Sequence, residues 1–453
     1  MQTPPFHVAT KPFFITPNAL SCLEQLGHHL LSFYQAANKL YLDSVQGHQP
    51  CWAAEYLDFG KPESVVAYGR MNRIRQALPG VIRPDLILTG DSIIATELDS
   101  VPGGIGLTLN LSQSFANEPL IGGLHGLSEG FTRMIRSMAS PRHNPCLAIV
   151  VSEESKDYRS EMDYLGEALN QGGLTTYVID PSQVLFSEEG LWVDCNGERI
   201  RIDILYRFFE LFDLKNIPKA ELILYAAKKK QVILTPPPKP QLEEKLLFAL
   251  FHHPVLKSFW RNNLGEETQA VITKLFPKTW ILDPRPMPPH AIIPDLFIGE
   301  CPVSSFLDLK HLSQKERRFV IKPSGFSEMA WGSRGVLVGH DLSEEDFQKG
   351  LETALNSFYK TPHILQVFHK GCQVEAEYLD PHGNTPLQMK GRARLSPYYF
   401  VEQGESILSG ILATICPLDK KLIHGMSDAV MMPCAVSSKN VGTPLAAPDW
   451  KIK

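Results

Sequence analysis

Arg83, Asp85, Glu97 and Asp99 crowd into one short stretch, RPDLILTGDSIIATELDSVPGGIG, from Arg83 to Gly106. Leu86-Ile87-Leu88 reads as a short apolar strand, Thr89-Gly90-Asp91-Ser92 as a turn, and Ser92 to Leu98 as the returning strand. A turn near Gly90 and Asp91 brings Asp85 roughly opposite Glu97. Glu97 and Asp99, two apart, share one strand face. Three carboxylates on one face repel unless something positive lies among them. Two readings stand: a solvated acidic face, or a site for a divalent cation, magnesium by the all-oxygen donor set.

A second stretch, RFVIKPSGFSEMAWGSRGVLVG (Arg318 to Gly339), offers a different chemistry. RFVIK is a strand that delivers Lys322 at its end. A loop of small residues follows, with Gly325, Ser327, Gly332, Ser333 and Gly335, and then a second strand. Glycines let backbone N–H groups approach phosphate oxygens, and the lysine adds positive charge. A plain Gly/Ser hairpin fits the same pattern. The stretch is neither a G-x-x-x-x-G-K-[ST] loop nor a dinucleotide fingerprint.

The surrounding elements must position these groups. Thr16-Pro17-Asn18 opens a helix to about Leu42, and a second helix is expected from Pro62 to Leu78. CLAIVVS, YRSEMDYLGEALNQGG and LTTYVID read as strand, helix, strand, a βαβ unit with a parallel sheet, and IRIDILYRFFELFDL and QVILTPPP add further strands. The pattern changes near Ser140-Pro141-Arg142, and Pro236-Pro237-Pro238 with Pro240 punctuates the chain. The expected organisation is therefore 1–140, 141–240 and 241–453. LEEKLLFALFHH is helical, and beyond Arg318 the chain is β-rich with one helix at about 343–358.

Composition narrows the class. The 453 residues are 43% hydrophobic and 21% charged, with a formal net charge of -5. Bulk charge therefore does not mark a nucleic-acid binder. Eight cysteines lie apart with no C-x-x-C pair, which suits reduced thiols and excludes zinc-type clusters. The N-terminal residues lack a signal-peptide pattern, and no apolar run is long enough to span a bilayer. A cytoplasmic protein without membrane partners is expected.

Taken with HILQVFHKGCQVEAEYLD, the Lys322 stretch resembles the nucleotide-binding half of an ATP-grasp ligase. RPDLILTGDSIIATELDSVPGG is similar to the magnesium hairpin of that superfamily, close to the R-x-D, E-x-N-x-x-P-G pattern of D-alanine–D-alanine ligases. The acidic hairpin usually comes last, whereas here it comes first, with an α/β segment between the halves. That order resembles the circularly permuted ATP-grasp proteins related to glutathionylspermidine synthase, as do EKLLFALFHHP…FPKTW and IHGMSDAVMMPC. The resemblance covers nearly the whole chain after about residue 60. It implies an α/β (α+β) fold, a circularly permuted ATP-grasp with an inserted Rossmann-like pre-ATP-grasp domain. It also implies an ATP-dependent carboxylate–amine ligase using ATP and two Mg2+ ions, acting on small-molecule or peptide carboxylates and amines. Asp85, Glu97 and Asp99 match the metal ligands, Arg83 the arginine that steadies the acyl group, and Lys245 and Lys322 the phosphate lysines. Gln366 falls at the adenine hinge, where many relatives place glutamate, and Gln373 where an acid usually meets ribose. Asp99 stands where asparagine is common. The amidase domain that some glutathionylspermidine enzymes carry has no counterpart here.

Further residues carry two readings each. Arg392 and Arg394 alternate on a strand, as ligands of the γ-phosphate or acyl phosphate or as solvated charges. Arg207 ends a buried strand, as a substrate-carboxylate contact or a structural salt bridge. Ser327, Gly332 and Ser333 are the loop's nucleotide candidates, with Trp331 as a lid residue. His252 and His253 lack a third metal ligand at suitable spacing. His424 beside Asp428 is read as structural, and Cys434 shows no activating base. A non-catalytic nucleotide-binding protein and a kinase that stops at a phosphorylated product are the rival readings.

Overall fold

The computed structural model describes residues 6–90, 92–139, 144–380, 385–420 and 428–437. The chain forms two compact units, each assembled from separated stretches: residues 1–31, 77–238 and 370–453 in one, residues 32–76 and 239–369 in the other.

The first unit is organised by an eight-stranded sheet. Its path runs from His7–Val8 through Val430–Val436, Glu405–Pro417, Pro386–Glu402 and Val81–Leu88 to Ile93–Asp99. Pro386–Glu402 and Glu405–Pro417 make a long antiparallel ribbon turned at Gln403-Gly404, both at positive φ, with a bulge at Tyr398/Tyr399. Val81–Leu88 pairs antiparallel with Pro386–Glu402, which places the acidic hairpin against the ribbon. Gln373–Leu379 also pairs with that long strand.

The same unit holds a second, all-parallel sheet in the order Ile233–Thr235, Ile204–Phe208, Leu147–Val151, Thr176–Ile179. Its central strands are buried along their whole length, as expected of a sheet covered on both faces. The helix Arg159–Gln171 provides the crossover from Leu147–Val151 to Thr176–Ile179, burying Met162, Leu165 and Leu169. The βαβ expectation is met. The stretch IRIDILYRFFELFDL, expected as strand, divides: Glu198–Ile202 closes a three-stranded antiparallel sheet with Leu185–Ser187 and Gly190–Cys195, Ile204–Phe208 joins the parallel sheet, and Leu211–Asn216 is a tight helical turn. One core joins Phe131, Met162, Leu165, Tyr206, Tyr398 and Phe400.

In the second unit a four-stranded sheet runs Thr279–Ile281, His363–Val367, Phe319–Pro323, Leu337–Val338, every pair antiparallel. The helix Glu344–Asn356 packs on it through Phe347, Leu351 and Leu355. Ser343 caps that helix by accepting from Asp346 N at 3.0 Å, with Glu344, Glu345 and Asp346 in the first turn.

Two helical expectations meet different outcomes. Pro17–Val45 forms as expected, with Thr16 Oγ1 accepting from Ala19 N at 3.2 Å. The helix expected from Pro62 to Leu78 is shorter: Glu63–Gly69, then a single tight turn at Asn72–Ile74. It stops where Arg70 swings back to pair with Asp58 and Tyr41. A short helix, Cys51–Asp58, precedes it between Pro50 and the positive-φ Gly60.

Candidate functional site

In the first unit the hairpin register sets Asp85 opposite Glu97 and Arg83 opposite Asp99. Cross-strand partners share a face, so all four side chains lie together. The positive charge that this face requires comes from the protein. Arg83 reaches Asp85 (Nε–Oδ1 3.2 Å) and Asp99 (NH2–Oδ2 3.2 Å). Arg394, on the neighbouring long strand, donates from NH1 to Asp85 Oδ2 at 3.0 Å, and Ser396 Oγ donates to Asp85 Oδ1 at 3.0 Å. Burial works against the Arg83 charge, but Asp85 and Asp99 outweigh it and hold the guanidinium pKa above its ordinary value. Among the described residues, no three His, Cys, Asp or Glu side chains gather as a metal-holding group.

The Pro102-Gly103-Gly104 turn is packed from three sides. Gly103 O accepts from Tyr398 OH at 2.9 Å and from Arg83 NH1 at 3.3 Å. Gly104 sits at φ 90, and a Cβ there would lie 2.4 Å from the Tyr398 hydroxyl. The next helix, Ile105–Gln113, presents Gly104 N and Leu107 N to the Glu161 carboxylate at 2.7 and 3.2 Å. Burial pushes the Glu161 pKa up to about 7, against the pull of those two donors and Arg83. Sequence reasoning missed Glu161, Ser396 and Tyr398. The cluster of glycines was the available signal, because each marks a close approach.

The second unit carries the lysines. Lys322, near the end of Phe319–Pro323, is only 8% exposed, and its Nζ donates to Gln366 Oε1 at 2.9 Å. Gln366, also buried, donates to Thr279 Oγ1 at 3.3 Å. Lys245 stands at the N-terminus of the helix Leu246–His252 and donates from Nζ to Ala330 O at 3.2 Å. The loop between the strands is open. Ser327 Oγ accepts from Met329 N at 3.2 Å, Gly332 and Ser333 both adopt φ 61, and Arg334 lies 4.9 Å over the Trp331 ring. Lys322 and Gln366 are thus in contact, whereas Gln373 is exposed, begins a strand of the first unit and is register-paired with Arg392.

Arg207, expected at a substrate carboxylate, is fully buried, donating from Nε to Pro236 O at 3.1 Å and from NH1 to Phe209 O at 2.8 Å. Its position at a strand end agrees with expectation, but the guanidinium is given to the protein's own carbonyls. Arg392 donates from NH1 to Leu418 O at 3.0 Å. His252 contacts Phe276 O at 3.2 Å, and burial brings its pKa down to about 4. Burial raises the Cys434 thiol pKa far above its ordinary value, the opposite of what a nucleophile needs. Asp428 pairs with Lys420 at 2.8 Å; His424 lies outside the described residues.

A glutathione synthetase-like effector from Globodera pallida superposes with a TM-score of 0.54 over 95% of this chain and 90% of that one, at 10% identity. The likeness is one of overall fold. A chain assigned as a gamma-glutamylcysteine synthetase from Methylobacillus flagellatus gives a TM-score of 0.44 at 13% identity, covering 88% of this chain and 91% of that one. No family model and no curated protein matches by sequence. Among the described residues, no helix is long and apolar enough to cross a membrane.

Proposed function

We propose that this chain is an ATP-dependent carboxylate–amine ligase. The observation that carries the reading is the single hairpin face on which Arg83, Asp85, Glu97 and Asp99 meet, within a chain that folds like a glutathione synthetase-like protein. The order of the parts, acidic hairpin first, parallel α/β segment next and lysines last, supports a circularly permuted ATP-grasp related to glutathionylspermidine synthase, with a Rossmann-like domain inserted at about 141–240. We assign substrate selection to that inserted segment, since parallel sheets bind ligands at the carboxyl ends of their strands.

The chemistry proceeds in two displacements. A carboxylate oxygen of the first substrate attacks the γ-phosphorus of ATP, the bond to the β,γ-bridging oxygen breaks, and ADP leaves with that electron pair. The amine of the second substrate attacks the acyl carbon, the carbon–oxygen bond to phosphate breaks, and inorganic phosphate leaves as the amine gives up a proton. Lys322 and Lys245 bind phosphate oxygens, exchanging Gln366 Oε1 and Ala330 O for them. Gln366 meets the base, the loop residues Ser327, Gly332 and Ser333 offer the phosphates donors, and Gln373 is assigned to the ribose. Arg83 and Arg394 offset charge on the acyl phosphate, a preorganised contribution that positioning and electrostatics make the main source of rate.

The donor chemistry of the hairpin fits magnesium: every candidate ligand is a carboxylate oxygen. Asp85, Glu97 and Asp99 are the groups that would hold two ions; they are not gathered as a three-ligand set here, so binding would require Asp85 and Asp99 to leave the contacts they make with Arg83 and draw in with Glu97. Bound there, magnesium would offset the negative charge of the phosphate groups.

The test is an ADP-release screen of the purified chain with a panel of carboxylates, with and without amines. ADP release that needs both substrates supports the ligase. Release with the carboxylate alone and a stable phosphorylated product identifies a kinase. Nucleotide binding without turnover across the panel identifies a binding module.

A further inference from the structure

The second unit buries an ion pair directly under the loop that carries the proposed phosphate-binding groups. Lys61 Nζ lies 2.5 Å from Glu244 Oε1, and the two side chains are 0% and 1% exposed. The other Glu244 oxygen accepts a short hydrogen bond from Ser324 Oγ. Ser324 is itself fully buried and joins three parts of the unit. Its Oγ accepts from Leu246 N at 2.9 Å, its carbonyl accepts from Lys245 N at 2.9 Å, and its own N–H donates to Pro362 O at 2.9 Å.

Two glycines show how closely this clamp is built. A Cβ on Gly325 would come within 2.7 Å of the Glu244 carboxyl carbon. Gly60, at φ +74, lets the segment carrying Lys61 pass Lys360 O, where a Cβ would sit 1.9 Å away. Neither contact touches the acidic hairpin or the loop tip, so the clamp acts at the root of the loop.

A buried ion pair is seldom explained by stability, since apolar residues of similar volume serve as well or better. Its distinctive property is directional: it fixes which groups meet. Here the groups so fixed are Glu244-Lys245 and the segment from Lys322 to Gly325. We propose that Lys61 and Glu244 are positioning residues for nucleotide, setting the spacing of Lys245 and Lys322 through Ser324 so that both ammonium groups reach one phosphate chain. This inference rests on the ligase reading and adds residues that the ligase pattern did not supply.

The experiment uses the full chain, a non-hydrolysable ATP analogue with magnesium as the probe, calorimetry for affinity and hydrogen exchange across residues 324–335. Wild type must bind the analogue; if it does not, both the ligase reading and this inference fall. Glu244→Gln and Ser324→Ala are each expected to weaken binding by about tenfold or more, the loss of one charge-assisted phosphate contact, and to speed exchange in 324–335. The double variant Lys61→Met with Glu244→Leu should recover the urea midpoint without recovering affinity. Where Glu244→Gln does not fold, Ser324→Ala, which leaves the ion pair in place, decides. Folded variants that bind within about twofold of wild type, whatever their stability, would overturn the assignment and leave the ligase reading intact.

Discussion

Replacing Asp85 with asparagine separates two accounts of the acidic hairpin. In the structure Asp85 is 5% exposed and meets Arg394 at 3.0 Å, Arg83 at 3.2 Å and the Ser396 hydroxyl at 3.0 Å. Asparagine preserves the shape and one acceptor, so the Ser396 bond survives while both charge contacts go. Each pair at about 3 Å is worth at most roughly 5 kcal/mol at an effective dielectric near 20, before desolvation is subtracted. Breaking a buried pair by neutralising one partner costs about 3–5 kcal/mol. Arg83 keeps Asp99, and Arg394 is partly exposed, so the lower end applies: a loss of about 3 kcal/mol. Urea unfolding in EDTA, compared at unchanged m-value, reads this directly. If the carboxylates were instead uncompensated until metal arrived, removing one would relieve repulsion and the metal-free variant would be more stable. An Asp85→Asn variant as stable as wild type, or more so, without divalent metal would refute the arginine-compensation argument.

Three further outcomes are expected. Arg207→Ala should lower stability by about 3 kcal/mol or more, because two buried carbonyls lose a charged donor; a near-normal urea midpoint together with a raised Michaelis constant for the carboxylate would return Arg207 to the substrate pocket. His252, whose pKa falls from an ordinary 6.5 to about 4 in the fold, favours the native state above pH 6.5. Its contribution, up to about 3 kcal/mol, is lost as pH falls through 4, because the unfolded chain takes the proton first; a His252→Phe variant should lack that part of the slope, and an identical profile would remove the histidine from the acid limb. Lys322→Ala should weaken ATP binding by about tenfold or more in a folded protein, and calorimetry showing unchanged affinity would dismiss it as a phosphate ligand.

The parts of the structure legible in the sequence are those set by local pattern. The apolar runs around Ile149 and Leu205 are the central parallel strands, and the turn near Gly90 brought Asp85 close to Glu97, while the register shift between Asp85 and Leu86 that makes them partners was not legible. What escaped depends on distant partners. Arg394 reaches Asp85 across 309 residues, and Glu161 reaches Gly104 across 57, distances over which no periodicity speaks. The buried Lys61–Glu244 pair is likewise invisible, since two charged residues in helix-flanking segments read as solvated. One omission was avoidable. Asn196-Gly197, at φ 55 and 87, is the strongest short-range hairpin signal, and it turns Gly190–Cys195 into Glu198–Ile202. The helix expected to Leu78 ends at Gly69, where Arg70 pairs with Asp58 and Tyr41, residues outside the segment.

The central claim is that the carboxylate is activated as an acyl phosphate, and oxygen transfer reports this most directly. Once the ADP-release screen yields a substrate pair, the carboxylate is labelled with oxygen-18 and the products are weighed by mass spectrometry. The account predicts one labelled oxygen in inorganic phosphate for each amide formed, with ADP as the other product, and loss of both in a folded Glu97→Gln variant. Unlabelled phosphate, release of AMP and pyrophosphate, or wild-type turnover in Glu97→Gln would contradict it.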